Sequence, residues 1–366
     1  MNHPRISLLV NAGPQSIEAV RARGLTRLHP PDQTQFLFRE GGRWASFRRW
    51  HQQLADFQPD VLYVLNTALP GVPVACRWSR RRGIPFILDT GDAIVEMARR
   101  SGIGAGWRIP ILKWLEGSGL RRAHTVVVRG TRHREHLQQL GVRRVELIRD
   151  GFAEQTSVRN DTVDALRTQL GLAGRFVVGV MGSLVFSPRL GICYGWDLVE
   201  ALPHLTDLPV TTMVIGDGNG QAWLQSRAKE LGVERRIVFT GRIPYAEVPT
   251  YLRVMDVALS TQTNNLPGQV RTTGKLPEYM AAERFIIASR VGEAALVLPG
   301  GMLLDYDGEV DRQYPQRLAA RIRDLYAHPG DLKARHQLPA IARELCSYDV
   351  LAARFQSVIS AVRKAA

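Results

Sequence analysis

The run RTTGKLPEYMAAERFIIAS (271–289) sets a small-residue turn, a lysine and a glutamate at the start of a short helix that leads directly into a buried strand. A helix N-terminus offers unpaired peptide N–H groups and a partial positive charge, which suits Thr272, Thr273 and Gly274 to a phosphate. Lys275 adds a full charge, and Glu278, one turn on, is placed to accept hydrogen bonds from sugar hydroxyls. An anion grip and a diol grip on one helix point to a nucleoside diphosphate. On these residues alone, an ordinary αβ connection with a lysine in its first turn stands equally open.

The surroundings repeat one rhythm. RFVVGVMGSL (175–184), TTMVIGDGNG (211–220) and RIVFTGRI (236–243) are apolar runs that end at glycine, and YLRVMDVALS (251–260) is a helix end feeding a strand. With helical stretches such as QAWLQSRAKEL (221–231) between them, they read as successive βα units of a parallel sheet. The first half does the same, with strands expected at RISLLV (5–10), TQFLF (34–38), VLYVL (61–65), PFILD (85–89), TVVV (125–128) and VELI (145–148). Its clearest helices are FRRWHQQLADF (47–57) and RHREHLQQLG (132–141). A chain of 366 residues exceeds a single core, so two α/β domains are expected. Their bounds are expected at 1–155 and 175–347, with a polar, then helical, glycine-ended linker at 156–174. In such sheets ligands bind at the carboxyl ends of strands, where the glycine turns lie.

In order and spacing these pieces resemble the retaining nucleotide-sugar glycosyltransferases of family 4. The similarity rests on the glycine-turn strand 175–184, Tyr194-Gly195 before WDLVEAL, the strand ending in Gly216-Asp217-Gly218, Phe239-Thr240-Gly241, and the KLPEYMA helix leading to FIIASRVGEA (285–294). It implies two Rossmann-like domains facing each other across a cleft (the GT-B arrangement), with YDVLAARFQSVISAVRKAA (348–366) as a helix crossing back to the first domain. It further implies a donor diphosphate against Gly182-Ser183 and the 272–275 turn, served by Lys275 and Arg189, with Glu278 on the ribose and backbone near Arg242 and Ile243 on the base. The nucleotide sugar would be a co-substrate, and neither a cofactor nor a metal site is expected.

Departures from the family pattern are as informative. Members carry a glutamate ahead of the one at Glu278, and the corresponding place is Val270. Places that often hold an arginine and a lysine for the diphosphate are Ser183 and Tyr194 here, so Lys275 carries more of that charge. On the acceptor side, PFILDTGDAIVE (85–96) resembles the family's Asp-rich turn at the cleft, with Asp89, Asp92 and Glu96, and with Gly91 where many members have histidine. Gly13, after the first strand, is placed on the same side. Asp92 is read either as orienting or deprotonating an acceptor hydroxyl, or as the N-cap of the helix that follows.

Charge separates the halves. Residues 1–155 hold 24 Lys plus Arg against 13 Asp plus Glu, and residues 156–366 hold 24 against 21, so +11 of the net +14 belongs to the first half. An acidic acceptor or an anionic membrane surface is the expected partner, met through RWASFRRWHQQLADF (43–57) or GWRIPILKWLEGSGLRR (106–122), whose aromatics otherwise pack under the sheet. Acceptors implied by the resemblance are lipid-linked, saccharide or other hydroxyl compounds. Three cysteines, Cys76, Cys193 and Cys346, have no metal or redox spacing, and no apolar run reaches the length of a membrane span. A cytoplasmic protein, peripheral on the inner face of the membrane, is therefore expected. Nucleic-acid binding has only the charge in its favour, without a binding module. A dinucleotide-dependent oxidoreductase would use Gly216-x-Gly218-x-Gly220, but Asp217 sets a carboxylate against the phosphate, and the next strand ends at Thr240 without the acid that holds a ribose. A transferase-like scaffold without activity is the remaining alternative, with Val270 as its argument.

Overall fold

The computed structural model describes residues 3–102, 106–152 and 158–365. The first lobe is a parallel sheet ordered β2-β1-β3-β4-β5-β6, with β1 Ile6–Val10, β2 Thr34–Phe38, β3 Val61–Leu65, β4 Phe86–Thr90, β5 Thr125–Val128 and β6 Val145–Leu147. Every residue of β1, β3, β4 and β5 is buried, the pattern of strands covered on both faces, and their near-continuous Val, Ile and Leu follow from it. Helix Ile17–Leu25 and the C-terminal helix Tyr348–Ala365 cover one face, with Leu25, Phe355 and Ile359 against β1 and β3. Helices Arg43–Phe57, Gly71–Arg82 and Arg108–Arg122 cover the other, with Trp50, Trp78 and Leu115 inward.

The second lobe repeats the plan. Its sheet is ordered β11-β10-β7-β12-β13-β14, with β7 Phe176–Met181, β10 Val210–Ile215, β11 Ile237–Gly241, β12 Val257–Ser260, β13 Phe285–Ser289 and β14 Leu303–Leu304. A small antiparallel hairpin, β8 Phe186–Ser187 and β9 Ile192–Cys193, projects after β7. The chain leaves β7 toward β10 and later returns to its other side at β12, so the carboxyl ends of β7 and β12 flank the switch point of the sheet, the place where open α/β sheets receive ligands.

The stretch 156–174 departs from the expected linker. Residues 153–157 lie outside the described residues, but helix Asn160–Gln169 packs on the second lobe, and Val163 and Leu172 are buried in its core. Burying that apolar face makes the segment part of the lobe. The C-terminal helix does cross back: the Tyr348 ring lies where a side chain at Gly24 or Gly151 would stand, 2.2 and 2.7 Å from the two absent Cβ atoms.

The glycines of GDGNG are explained by backbone contact. Gly216 has φ +128°, and a Cβ there would stand 2.0 Å from the carbonyl oxygen of Gly182; one at Gly218 would stand 2.2 Å from that of Leu184. Gly182 N–H donates to Ile215 O and Leu184 N–H to Asp217 O, both at 2.9 Å. The turns after β7 and β10 are thus laced together, and the spacing that invited a dinucleotide reading serves to lock the turn carrying Gly182 in place. Gly216→Ala should cost about 2–3 kcal/mol, whereas Gly300→Ala, with open space around its Cβ, should be near neutral. Urea denaturation of the two variants measures the difference.

Candidate active site

Lys275 opens the seven-residue helix Lys275–Ala281 that follows β12, and its side chain turns toward the end of β7. The ammonium nitrogen lies 3.5 Å from the centre of the Tyr194 ring and 3.2 Å from the place of a Gly182 Cβ. Among the described residues no carboxylate is within ion-pair range of it. Burial, reinforced by the charge of Arg271 and only partly offset by Asp197, holds its pKa well below the ordinary lysine range. Asp197 is buried and accepts a hydrogen bond from the Thr261 hydroxyl at the end of β12. Burial raises the Asp197 pKa, opposed by that hydrogen bond.

Further along the same helix, Glu278 is buried and accepts a hydrogen bond from the Tyr245 hydroxyl. Tyr245 follows Arg242 and Ile243 after β11; Arg242 is exposed, and Ile243 rests on the second core. The Tyr279 hydroxyl accepts from Met181 N–H at 2.7 Å, tying the helix to the end of β7. Ser183 is exposed, and Thr273 and Gly274 stay partly open beside Lys275. The structure therefore sets the Lys275 ammonium beside Gly182, whereas Thr272 and Thr273 line a cavity facing the first lobe with Arg129 and Asp150; Glu278 and the 242–243 backbone share the neighbourhood of Tyr245.

Two expected donor residues are engaged elsewhere. Arg189, in the β8–β9 hairpin, donates to the carbonyl of Arg99 at 2.9 Å, using its charge on the carbonyl end of a first-lobe helix, Ile94–Ser101. Thr272 turns its hydroxyl to Asp150 of the first lobe at 3.3 Å. Val270 is buried, and its side chain has no polar atom to replace the glutamate of the family pattern. Tyr194 and Asp197 went unrecognised in the sequence. The only signal was a tyrosine in the place of an expected lysine, and nothing in the chain shows a ring packing under an ammonium from another helix.

On the first-lobe side, Asp89 is corrected from an acceptor contact to a structural charge. It is fully buried, its Oδ2 accepting from Arg21 Nε at 2.9 Å and Tyr63 Oη at 2.6 Å, and its Oδ1 from Arg129 Nε at 3.0 Å. Burial opposes the charge, but the two arginines outweigh it and hold the carboxylate below its ordinary range. Its stabilising contribution is consequently present at neutral pH and is lost as acid brings it through that depressed pKa. Gly91 makes room for this arrangement, since a Cβ there would stand 3.0 Å from Arg129 Cδ.

Asp92 does not cap the following helix, whose first N–H, at Ile94, is taken by Glu116 at 2.9 Å. Asp92 instead faces Arg271 of the second lobe at 3.3 Å, and Glu96 pairs with Arg99 and Arg100. Both carboxylates line an open cavity of about 600 Å³ with Thr67, Thr90, Glu116 and His133. His133 is buried, its Nδ1 has no hydrogen-bond partner, and burial lowers its pKa to about 4, so it is neutral at neutral pH. Gly13 is open on its Cβ side, and its carbonyl accepts from Ser16 N–H at 3.1 Å. The lobes meet through polar contacts, chiefly the buried Glu293, which accepts from Thr131 N–H at 2.7 Å and Arg149 Nε at 2.8 Å.

Asp89→Asn should cost about 3–5 kcal/mol, since it removes the enclosed charge that lies between Arg21 and Arg129 and leaves them only Asp150, at 3.5 and 3.7 Å, whereas Asp92→Asn should change stability by less than about 1 kcal/mol. Thermal and denaturant unfolding of the pair test this separation of roles.

Comparison with known proteins agrees with this geometry. Residues 7–151 match the family model described as glycosyl transferase 4-like domain, and residues 175–328 match that described as glycosyl transferases group 1. The chain is 28% identical over 254 residues to the 2-deoxystreptamine glucosyltransferase of Streptomyces kanamyceticus, covering 67% of this chain and 61% of that protein. It is 33% identical over 172 residues to the GDP-mannose-dependent alpha-(1-6)-phosphatidylinositol monomannoside mannosyltransferase of Mycolicibacterium smegmatis, covering 45% and 42%. The matched region is thus less than two thirds of either relative. HepE of Anabaena, solved in complex with UDP and glucose, superposes with a TM-score of 0.78 at 18% identity, over 98% of this chain and 100% of that one, which shows a shared GT-B fold. With one model on each of its two lobes, the chain belongs to the group 1 glycosyltransferases that carry a glycosyl transferase 4-like first domain.

Proposed function

We propose that this protein transfers a sugar from a nucleoside diphosphate donor to an acceptor hydroxyl, with retention of anomeric configuration, at the anionic inner face of the cytoplasmic membrane. The observation that carries the reading is the Lys275 ammonium, set beside Gly182 over a ring face, only partly offset by Asp197 and with no carboxylate in ion-pair range among the described residues. Charge kept out of water in this way is costly until an anion joins it. The β7–β12 switch point is where an open α/β sheet receives a ligand.

In this reading the diphosphate lies against Gly182, Ser183 and the 273–275 turn, and Glu278 takes the ribose hydroxyls. The bond from the anomeric carbon to the diphosphate oxygen breaks with its electron pair leaving on the phosphate, and Lys275 and peptide amides meet the developing charge without a metal ion. The acceptor oxygen attacks from the side the leaving group vacates, and its proton passes to the departing phosphate oxygen. No strong base is called for, which agrees with an Asp92 held by Arg271. The first-lobe cavity beside Asp92, Glu96 and His133 is the proposed acceptor side. A donor with UDP or GDP is supported by the relatives, of which one was solved with UDP and another is described as GDP-mannose-dependent.

Lys275→Ala should lower turnover about 10²–10³-fold, and Glu278→Ala should mainly weaken donor binding. UDP or GDP should raise the melting temperature while NAD leaves it unchanged; a wild-type transfer rate in Lys275→Ala sinks the diphosphate assignment. Because the pKa of Lys275 is depressed, its positive charge is lost as pH rises through that lowered value. Nucleotide affinity should therefore fall at a lower pH than an ordinary lysine would give, and Lys275→Arg should abolish that fall; calorimetric titrations over a pH series distinguish the two profiles. Tyr194→Leu should weaken nucleotide binding about three- to thirtyfold, and Tyr194→Phe, which keeps the ring, should not.

A further inference from the structure

Helix Arg108–Arg122 buries Leu115, Ser118 and Gly119 against the first lobe. Its outer side presents Trp107, Ile111 and Trp114, with 64%, 40% and 51% of their surface exposed. These positions are i, i+4 and i+7, so they form a single apolar stripe. Lone exposed apolar residues need no explanation, but two indoles and an isoleucine aligned on one helix face do. Exposed Arg108 and Lys113 flank the stripe, and the Arg108 guanidinium lies 5.3 Å from the centre of the Trp107 ring.

The neighbouring helix Gly71–Arg82 lies in the same layer, since Leu115 shares a core with Val72 and Trp78. Its exposed side carries Arg77, Arg80, Arg81 and Arg82. The two helices bring their charges together: the half-buried Cys76 thiol, raised by burial, is pulled back by both Arg122 and Arg80. None of these cations has a carboxylate in ion-pair range among the described residues. No helix among the described residues is long and apolar enough to cross a membrane.

We infer that this helical layer docks on an anionic lipid bilayer, with the Trp107–Ile111–Trp114 stripe at the level of the headgroups and the surrounding arginines and Lys113 against lipid phosphates. The inference rests on the proposed function for the purpose of docking, which brings the acceptor side of the enzyme to the membrane surface. Indoles partition to the membrane–water boundary, and each arginine near a negatively charged leaflet adds attraction that salt screens. A nucleic-acid duplex, whose bases are already stacked, would meet the cations but leave the tryptophan stripe in water. A bilayer takes both.

The test is co-sedimentation of the full chain with vesicles of phosphatidylcholine alone or mixed with phosphatidylglycerol, beside duplex RNA as a rival polyanion. Wild type should bind the mixed vesicles and not the neutral ones, and raised salt should weaken it. Arg80→Gln/Arg81→Gln/Arg82→Gln should lower partitioning about tenfold or more. Trp107→Ser/Trp114→Ser, which leaves the net charge alone, should lower it to a similar degree while leaving any RNA binding unchanged. UDP-induced thermal stabilisation in every variant reports folding and the donor site independently. Absence of wild-type binding to the mixed vesicles overturns the inference, and so does wild-type partitioning by the tryptophan variant. Vesicle binding without UDP stabilisation would instead overturn the donor assignment and leave docking intact.

Discussion

The donor lobe is organised around an ammonium group that has been taken partly out of water and given a ring face and a glycine as neighbours. A cation in that position is an unfinished interaction. Lys275 is held there because its helix follows β12 at the sheet's switch point, because Tyr279 bonds the end of β7, and because Tyr194 packs beneath it. Each of these restraints is a neutral contact, and Asp197 offsets the charge only in part. In the proposed function the donor diphosphate supplies the rest.

Rigidity of the facing wall comes from the backbone. The turn at Gly182 is laced to the turn at Gly216 by hydrogen bonds and by an approach too close for any side chain. The Gly182 and Leu184 N–H groups are spent on this lacing, so what the turn offers in the proposed function is a fixed wall beside Lys275 that need not reorganise when charge develops. The first lobe achieves comparable stiffness by electrostatics, with Asp89 clasped between Arg21 and Arg129 under the cleft. There a buried ion cluster stands behind the surface that faces the other lobe, and Asp92, three residues on, is left to make the contact across the cleft.

The family departures acquire physical meaning in this setting. A tyrosine in place of a lysine removes one cation and supports the other. A glycine in place of a histidine opens the space that the Arg129 side chain fills. In the proposed function, charge near the diphosphate is thereby concentrated on one side chain, and the first lobe gains a half-buried guanidinium where the resemblance had suggested an imidazole.

The alternation of apolar runs, glycine turns and amphipathic stretches determined the two parallel sheets and most of their strands, though not the short edge strand β14 or the β8–β9 hairpin, because burial on both faces and the helical period write themselves directly into residue order. That Lys275 and Glu278 lie in the first turn of a helix and Gly182 at the end of a strand was legible for the same reason, since each sits at a local signal. Tertiary structure alone decided that Arg189 serves the opposite lobe, that Asp89 is enclosed, that the segment after 160 belongs to the second core, and that Tyr194, Asp197 and His133 stand where they do. Those outcomes depend on which side chains meet across distant segments and on how much water is left between them, and neither quantity has a period or a spacing in the chain.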